Sequence, residues 1–233
     1  RKVELFRTPT LSESPQSGQG SAWVKARYDR IAGRYDFGET PMEWLAFGRW
    51  RRGLWQRIGN KPGGRILEVG VGTGKNMPFY PPGSRVTAVD LSPRMLAKAQ
   101  ERAQHVGADG RPPLPVRLAL MDVEKLALAD DSFDTVVATF VFCSVADPVA
   151  GLREAARVCR PGGRILLLEH VRSRNRLLGK LMDWLDPLVV RWGPGDHINR
   201  RTLDNVRAAG LTIEEAVPLA PAGLVQLLVA QRL

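Results

Sequence analysis

Glycines 70, 72 and 74 follow directly on the apolar run Arg65-Ile-Leu-Glu-Val69, and Asp90 closes the next such run, Arg85-Val-Thr-Ala-Val-Asp90. Glycine at the end of a buried strand lets the backbone approach a ligand with no Cβ in the way. A carboxylate about 20 positions further on suits a grip on two ribose hydroxyls. Together these residues point to a nucleoside lying across the carboxyl ends of two parallel strands. The competing reading is a tight strand-to-helix turn with no ligand. The coincidence of turn, strand and distant acid favours the ligand.

The glycine spacing is G-x-G-x-G, with Lys75 where a dinucleotide fingerprint places its last glycine. That departure favours S-adenosylmethionine over a pyrophosphate-bearing dinucleotide. In a doubly wound sheet, ligands sit outside the carboxyl ends of the strands, and four strand ends supply candidates. The first gives Glu68, Gly70, Gly72 and Gly74. The second gives Asp90 and Leu91, with Ser92 and Met95 close behind. The third gives Met121, Asp122 and Val123, and the fourth runs from Thr139 to Ser144. Asp122 either accepts from an adenine amino group, with Met121, Val123 and Leu91 around the ring, or caps the turn at Glu124. Glu68 either orients the glycine loop or meets a methionine ammonium through water. His170, at the end of the fifth strand, either touches an acceptor or is a hydrogen-bonded loop histidine. His197 and Asn199 are weaker candidates for an acceptor cavity, and His105 reads as a solvent-facing helix residue.

Strands alternate with helices to position these residues. Strands are predicted near 65–69, 85–90, 115–121, 133–139, 163–169, 211–217 and 224–231, and helices near 74–79, 92–106, 148–159 and 201–209. Ser92-Pro93 supplies an N-cap and first-turn proline, and Pro161-Gly-Gly163 reads as a turn. This rhythm predicts a mostly parallel sheet covered on both faces, with the last two strands as an antiparallel hairpin at one edge. Before it, a helix from Ala22 to Tyr35 would place Tyr28 and Tyr35, seven apart, on one face. A second helix is expected from Pro41 to Ile58. Residues 1–20, rich in Ser, Pro, Gly and Gln, read as a flexible tail. Residues 171–200 break the alternation: a basic start leads into an apolar-rich amphipathic segment, expected to break near Pro187, with Trp184 and Trp192. It is too long for an ordinary loop and reads as a lid or acceptor-binding insertion.

At 233 residues with a net charge of +10, the chain is long enough for one large domain. Nucleic acid, anionic membrane, acidic substrates or a merely solvated basic surface could account for the charge. The cations are spread out, concentrated at Arg49, Arg51, Arg52 and Arg57 and at Arg172, Arg174, Arg176 and Lys180, so no nucleic-acid tail is visible. The two cysteines, Cys143 and Cys159, read as small core residues, and no spacing suggests a disulfide framework or a metal site. There is no run of about 20 apolar residues and no signal-peptide pattern. The expectation is a cytoplasmic protein, peripheral on the inner face of the membrane.

Leu67-Glu-Val-Gly-Val-Gly-Thr-Gly74, Asp90-Leu-Ser-Pro-Arg-Met95, Asp131-Ser-Phe-Asp134 and Leu152-Arg-Glu-Ala-Ala-Arg-Val-Cys-Arg-Pro-Gly-Gly163 resemble class I S-adenosylmethionine-dependent methyltransferases over about residues 22–231. The resemblance implies an α/β, Rossmann-like, doubly wound seven-stranded sheet, mostly parallel, with its last strand antiparallel. It also implies a single domain over 21–233, with a helical cap at 21–60 and an acceptor-site or membrane-facing insertion at 171–200. Arg27-Tyr-Asp-Arg-Ile-Ala-Gly-Arg-Tyr-Asp36 resembles the opening of ubiquinone/menaquinone C-methyltransferases and of bacterial phosphatidylethanolamine N-methyltransferases. Phe142-Cys-Ser-Val-Ala-Asp-Pro148, Leu168-Glu-His-Val-Arg172 and the run from His197 to Val206 are closer to the phospholipid group, and are also similar to alkyl-thiol methyltransferases. The resemblance implies that Tyr28 and Tyr35 close over the cofactor or meet the acceptor headgroup. Their alternative role is packing the first helix on the sheet.

The expected reaction is methyl transfer to an amphipathic acceptor, first of all phosphatidylethanolamine and its methylated forms, with transient contact to anionic membrane. A demethylquinol or a small thiol is the alternative acceptor. Methylating an amine first needs it neutral, so a proton acceptor such as Tyr35 or His170 would help, whereas a quinol ring needs a clear base, and none stands out. A basic nucleic-acid-binding module or RNA modifier is disfavoured, because no Asn/Asp-Pro-Pro-Tyr-type motif follows the fourth strand.

Overall fold

The computed structural model describes residues 19–33, 46–59, 63–105, 116–193 and 195–232. Seven strands form one sheet: β1 (Arg65–Val69), β2 (Arg85–Asp90), β3 (Val116–Leu120), β4 (Phe133–Thr139), β5 (Cys159–His170), β6 (Thr212–Pro218) and β7 (Val225–Gln231). Their spatial order is β3-β2-β1-β4-β5-β7-β6. The first five pair in parallel. β7 runs antiparallel to both β5 and β6. The two last strands do pair as expected, but β7 lies inside the sheet and β6 forms the edge.

Period-two alternation assigns each strand residue to one of two cores. Leu67, Val136, Ile165 and Leu167 pack beneath α4 (Pro148–Val158) and α6 (Thr202–Ala208), through Leu152, Ala155 and Val206. Ile66, Val137, Leu166 and Leu168 face the other way, against Leu54 and Trp55 of α2 (Gly48–Gln56) and Ala99 of α3 (Pro93–His105). Central strands buried on both faces explain the unbroken run Ile165-Leu-Leu-Leu168. Both Cys143 and Cys159 are buried free thiols.

Several expected boundaries move. The first helix, α1, spans Gln19–Ile31, so it ends before Tyr35, which lies outside the described residues. The second helix is regular only from Gly48 to Gln56, and 41–45 lie outside the described residues. No α-helix forms over 74–79. A single 3-10 turn, Met77–Phe79, takes its place with Pro78 inside it, and the preceding Asn76 is engaged through its side chain in the site below. Pro161-Gly162-Gly163 is absorbed into β5, where the register with β4 shifts and Gly162 takes φ +68°. α5 (Arg176–Trp192) runs unbroken through Pro187. That proline is exposed and removes one helix hydrogen bond. Buried Met182 before it and buried Asp186 beside it anchor the helix across that point. Asn175 caps the start of α5, accepting from the Leu177 and Leu178 N–H groups.

Candidate functional site

β1 delivers the glycine loop to the carboxyl edge of the sheet. Gly70 and Gly72 sit at φ +65° and +55°, in the left-handed region. A Cβ on Gly70 would lie 2.4 Å from Val141 Cγ2, whereas one on Gly72 would meet nothing within 4 Å. Gly70 is therefore glycine so that the loop can pack, and Gly72 leaves open space. Both line a cavity that opens to solvent, while Gly74 packs behind it against Met77 and Ala99.

Asp90 ends β2 across from that loop. Its Oδ2 accepts from the Gly72 N–H at 2.8 Å and its Oδ1 from the Ser92 N–H at 2.9 Å. Burial pushes its carboxyl above the usual range, although these N–H groups pull the other way. Ser92 caps α3, its Oγ accepting from the Met95 N–H at 3.1 Å and donating to Asp29 of α1 at 2.5 Å. Leu91, Met95, Met121 and Val123 line the cavity beside Asp90. Asp122 caps the turn, its Oδ1 accepting from the Glu124 N–H at 2.9 Å, and it also lines the cavity.

Glu68 does not line the cavity. It is fully buried one layer beneath and accepts from Asn76 Nδ2 at 2.6 Å and from the Tyr80 hydroxyl. Asn76 also donates to Thr139 Oγ1 at 3.0 Å and accepts from Arg51 Nη1 at 3.1 Å. Burial raises Glu68 to about 7, against the hydrogen bonds from Tyr80 and Asn76 and the nearby Arg51 charge. The network joins the glycine loop to Thr139 at the end of β4, and both Thr139 and Arg51 reach the cavity wall. Arg51, Asn76 and Tyr80 were missed from the sequence. Arg51 lies among ordinary surface-like arginines, and nothing in its spacing announces burial.

The loop after β4 forms the opposite wall. Phe140 holds φ +56°, an uncommon conformation for a bulky residue and a mark of a functional turn. Glu169, buried at the end of β5, accepts from the Val141 and Phe142 N–H groups at 3.0 Å each, and its Oε2 has no hydrogen-bond partner among the described residues. Burial raises this carboxyl to about 7 as well. Arg200 donates to the Cys143 and Val145 carbonyls from the far side.

α1 closes the cavity with Ser21, Val24 and Tyr28, and the Tyr28 hydroxyl donates to Asp196 Oδ1 at 2.7 Å. His170 ends β5, as read. Its ring stacks on Phe140, ring centres 4.6 Å apart, and Phe140 rather than His170 lines the cavity. His197 and Asn199 turn instead to the acids of α5, with His197 Nδ1 2.8 Å from Asp186. His105 is exposed, as read.

Charge changes sign across the cavity. Asp122, Glu124 and Asp90 lie at the β3–β2 end, and Lys75 and Arg51 at the β1–β4 end. The arrangement can hold a ligand with hydroxyl or amino donors at one end and an anion at the other.

A model of the methyltransferase domain matches residues 67–167. The chain is 37% identical over 176 residues to a phosphatidylethanolamine N-methyltransferase of Cereibacter sphaeroides, covering 74% of this chain and 82% of that one. It is 30% identical to a ubiquinone/menaquinone biosynthesis C-methyltransferase of Geobacter sulfurreducens (78% and 67% covered). A thiol S-methyltransferase of Rattus norvegicus is 36% identical over 62% of this chain and 58% of its own length. Among solved structures, a geranyl diphosphate C-methyltransferase from Streptomyces coelicolor shares the fold, with a TM-score of 0.71 at 15% identity over 93% of this chain and 99% of that one.

Proposed function

We propose, from the premise that the chain belongs to the methyltransferase-domain family as an S-adenosylmethionine-dependent enzyme, that it methylates the amine of an amphipathic lipid, phosphatidylethanolamine or its methylated forms. The observation that carries the donor reading is Asp90 held 2.8 Å from the Gly72 N–H at the cavity wall. Its carboxylate would take the ribose hydroxyls, Leu91, Met121 and Val123 the adenine faces, and Asp122 the adenine amine. Arg51 and Lys75 would face the amino-acid carboxylate. The bound donor supplies a sulfonium methyl that is already electrophilic. What remains for the chain is alignment and exclusion of water.

Tyr28 lines the cavity while donating to Asp196. An ammonium acceptor must lose a proton before it attacks, and the Tyr28 oxygen can take that proton while its own passes to Asp196. Tyr28→Phe should lower turnover on an amine acceptor by about a hundredfold while leaving affinity for S-adenosylhomocysteine nearly unchanged. Equal turnover of the two proteins would remove Tyr28 from the chemistry.

The lipid-amine reading is supported by the 37% identity with a phosphatidylethanolamine N-methyltransferase over most of both chains. The apolar outer face of α5 is consistent with an acceptor held in a membrane. The thiol relative favours a second reading, S-methylation of a small thiol, and the quinone-pathway relative a third. Labelled donor offered with phosphatidylethanolamine vesicles, a demethylquinol and an alkyl thiol in parallel separates them. Label in the phospholipid is expected; label only in thiol or quinol replaces the lipid reading.

A further inference from the structure

Leu177, Leu181, Trp184, Leu188 and Trp192 of α5 are 81, 49, 70, 48 and 80% exposed. At roughly 100° per residue they fall within an arc about 80° wide. Buried Gly179, Met182 and Asp186 mark the opposite side of the helix. Leu120 is the one other large apolar side chain exposed among the described residues, so the apolar surface is concentrated, not scattered. Arg176, Lys180 and Arg191 fall along one border of the arc. Leucine and tryptophan inward with cations at the border is the chemistry of a helix lying in an anionic lipid interface, where long basic side chains reach the headgroups. A second copy of the chain is a poorer fit, because a two-fold pairing of this face brings like-charged borders together on a chain of net charge +10.

α5 is also tied to the cavity. Arg27 of α1 donates to the Val190 and Arg191 carbonyls at 2.5 Å each, where a cation suits the end of the helix. Its guanidinium lies 4.3 Å over the Trp23 ring. The next two residues continue the link: Tyr28 bonds Asp196, and Asp29 receives the Ser92 hydroxyl beside Asp90. α1 thus bridges the exposed helix and the donor cavity that it helps to wall.

We propose that the outer face of α5 docks on an anionic bilayer and that α1, strapped to α5 by Arg27, transmits docking to the donor cavity, so that bilayer and donor each tighten binding of the other. The coupling rests on the donor reading above; the docking does not. Reciprocity follows because a bilayer that holds α5 and a donor that holds α1 restrain one connected unit.

The test uses vesicles of phosphatidylcholine, alone or with about one third phosphatidylglycerol, and S-adenosylhomocysteine as the donor-site probe. The full chain should co-sediment with the anionic vesicles, less so in high salt, and weakly with neutral ones. Trp184→Ser combined with Trp192→Ser should cut that binding about tenfold or more and leave affinity for the probe in solution unchanged, which also certifies the fold. Anionic vesicles should tighten the probe about fivefold, and Arg27→Gln should abolish the tightening while both single affinities remain. Undiminished vesicle binding by the double variant, or a concentration-dependent dimer that the double variant loses in place of vesicle binding, overturns the docking. Equal probe affinity with and without vesicles overturns the coupling. A probe that binds under no condition sinks the donor reading, and the sedimentation result still decides the docking.

Discussion

Asp90 serves structure and ligand through one carboxylate, since its oxygens already collect the Gly72 and Ser92 N–H groups. Asp90→Ala removes charged acceptors each worth about 1.5–3 kcal/mol, so affinity for S-adenosylhomocysteine should fall about tenfold to a hundredfold by titration calorimetry. An unchanged affinity would place the nucleoside elsewhere. Glu169 makes a pH prediction. Its folded value of about 7 lies above the ordinary 4.5, mainly through burial and despite the N–H bonds from Val141 and Phe142. The folded state therefore binds the proton more tightly. The stability this confers is full below about 4.5 and is lost as pH rises through about 7. Glu68 has the same sign and window. Glu169→Gln keeps an acceptor for the loop but cannot titrate, so its urea midpoint should decline less than that of the parent chain between those pH values. An identical decline would show that Glu169 is ionised throughout. Asp90, Gly72 and Met121 were legible in the sequence because strand ends and glycines carry a periodic signal. Arg51, Asn76 and Tyr80 were not, because their partnership with Glu68 exists only once α2 and the turn at 77–79 fold over β1.

At the scale of elements, the site is made by loops that cannot relax independently. Gly70 has no room for a side chain because Val141 fills the space a Cβ would need, and the loop carrying Val141 is hung from Glu169 and bent at Phe140. Gly70→Ala should cost about 1–3 kcal/mol from the left-handed backbone, with overpacking against Val141 on top. Adding Val141→Ala should restore part of the loss, because it removes the overlap but not the backbone strain. Thermal melts that show no rescue would mean the clash is taken up elsewhere. All seven strands could be read in the sequence: the central parallel strands are short, apolar and bounded by turns, and the edge strand β6 alternates between exposed and half-buried positions. The misread elements share a cause: a local signal was overruled by tertiary context. Pro187 was expected to break α5, yet buried Met182 and Asp186 before it and the Arg27 bonds to the Val190 and Arg191 carbonyls after it hold the helix. Residues 74–79 lost their helix to a side-chain network that uses Asn76. Pro161-Gly-Gly163 joined β5 as an irregular start rather than preceding it.

Over the whole molecule, sheet order sets the polarity of the site. The strands that end in acids, β2 and β3, occupy one side of the cavity, and those near Arg51 and Lys75, β1 and β4, the other. A donor with an adenosyl end and an amino-acid end has one favourable orientation in that field. α1 covers it and links it to α5, the element that carries the exposed apolar row. No helix among the described residues is long and apolar enough to cross a membrane. The position of bound S-adenosylhomocysteine in a crystal of the complex tests this account most directly. Its ribose hydroxyls are expected within hydrogen-bond distance of Asp90, its adenine among Leu91, Met121 and Val123, and its carboxylate toward Arg51. Density for the product anywhere else, or reversed so that the carboxylate meets Asp122, would contradict it.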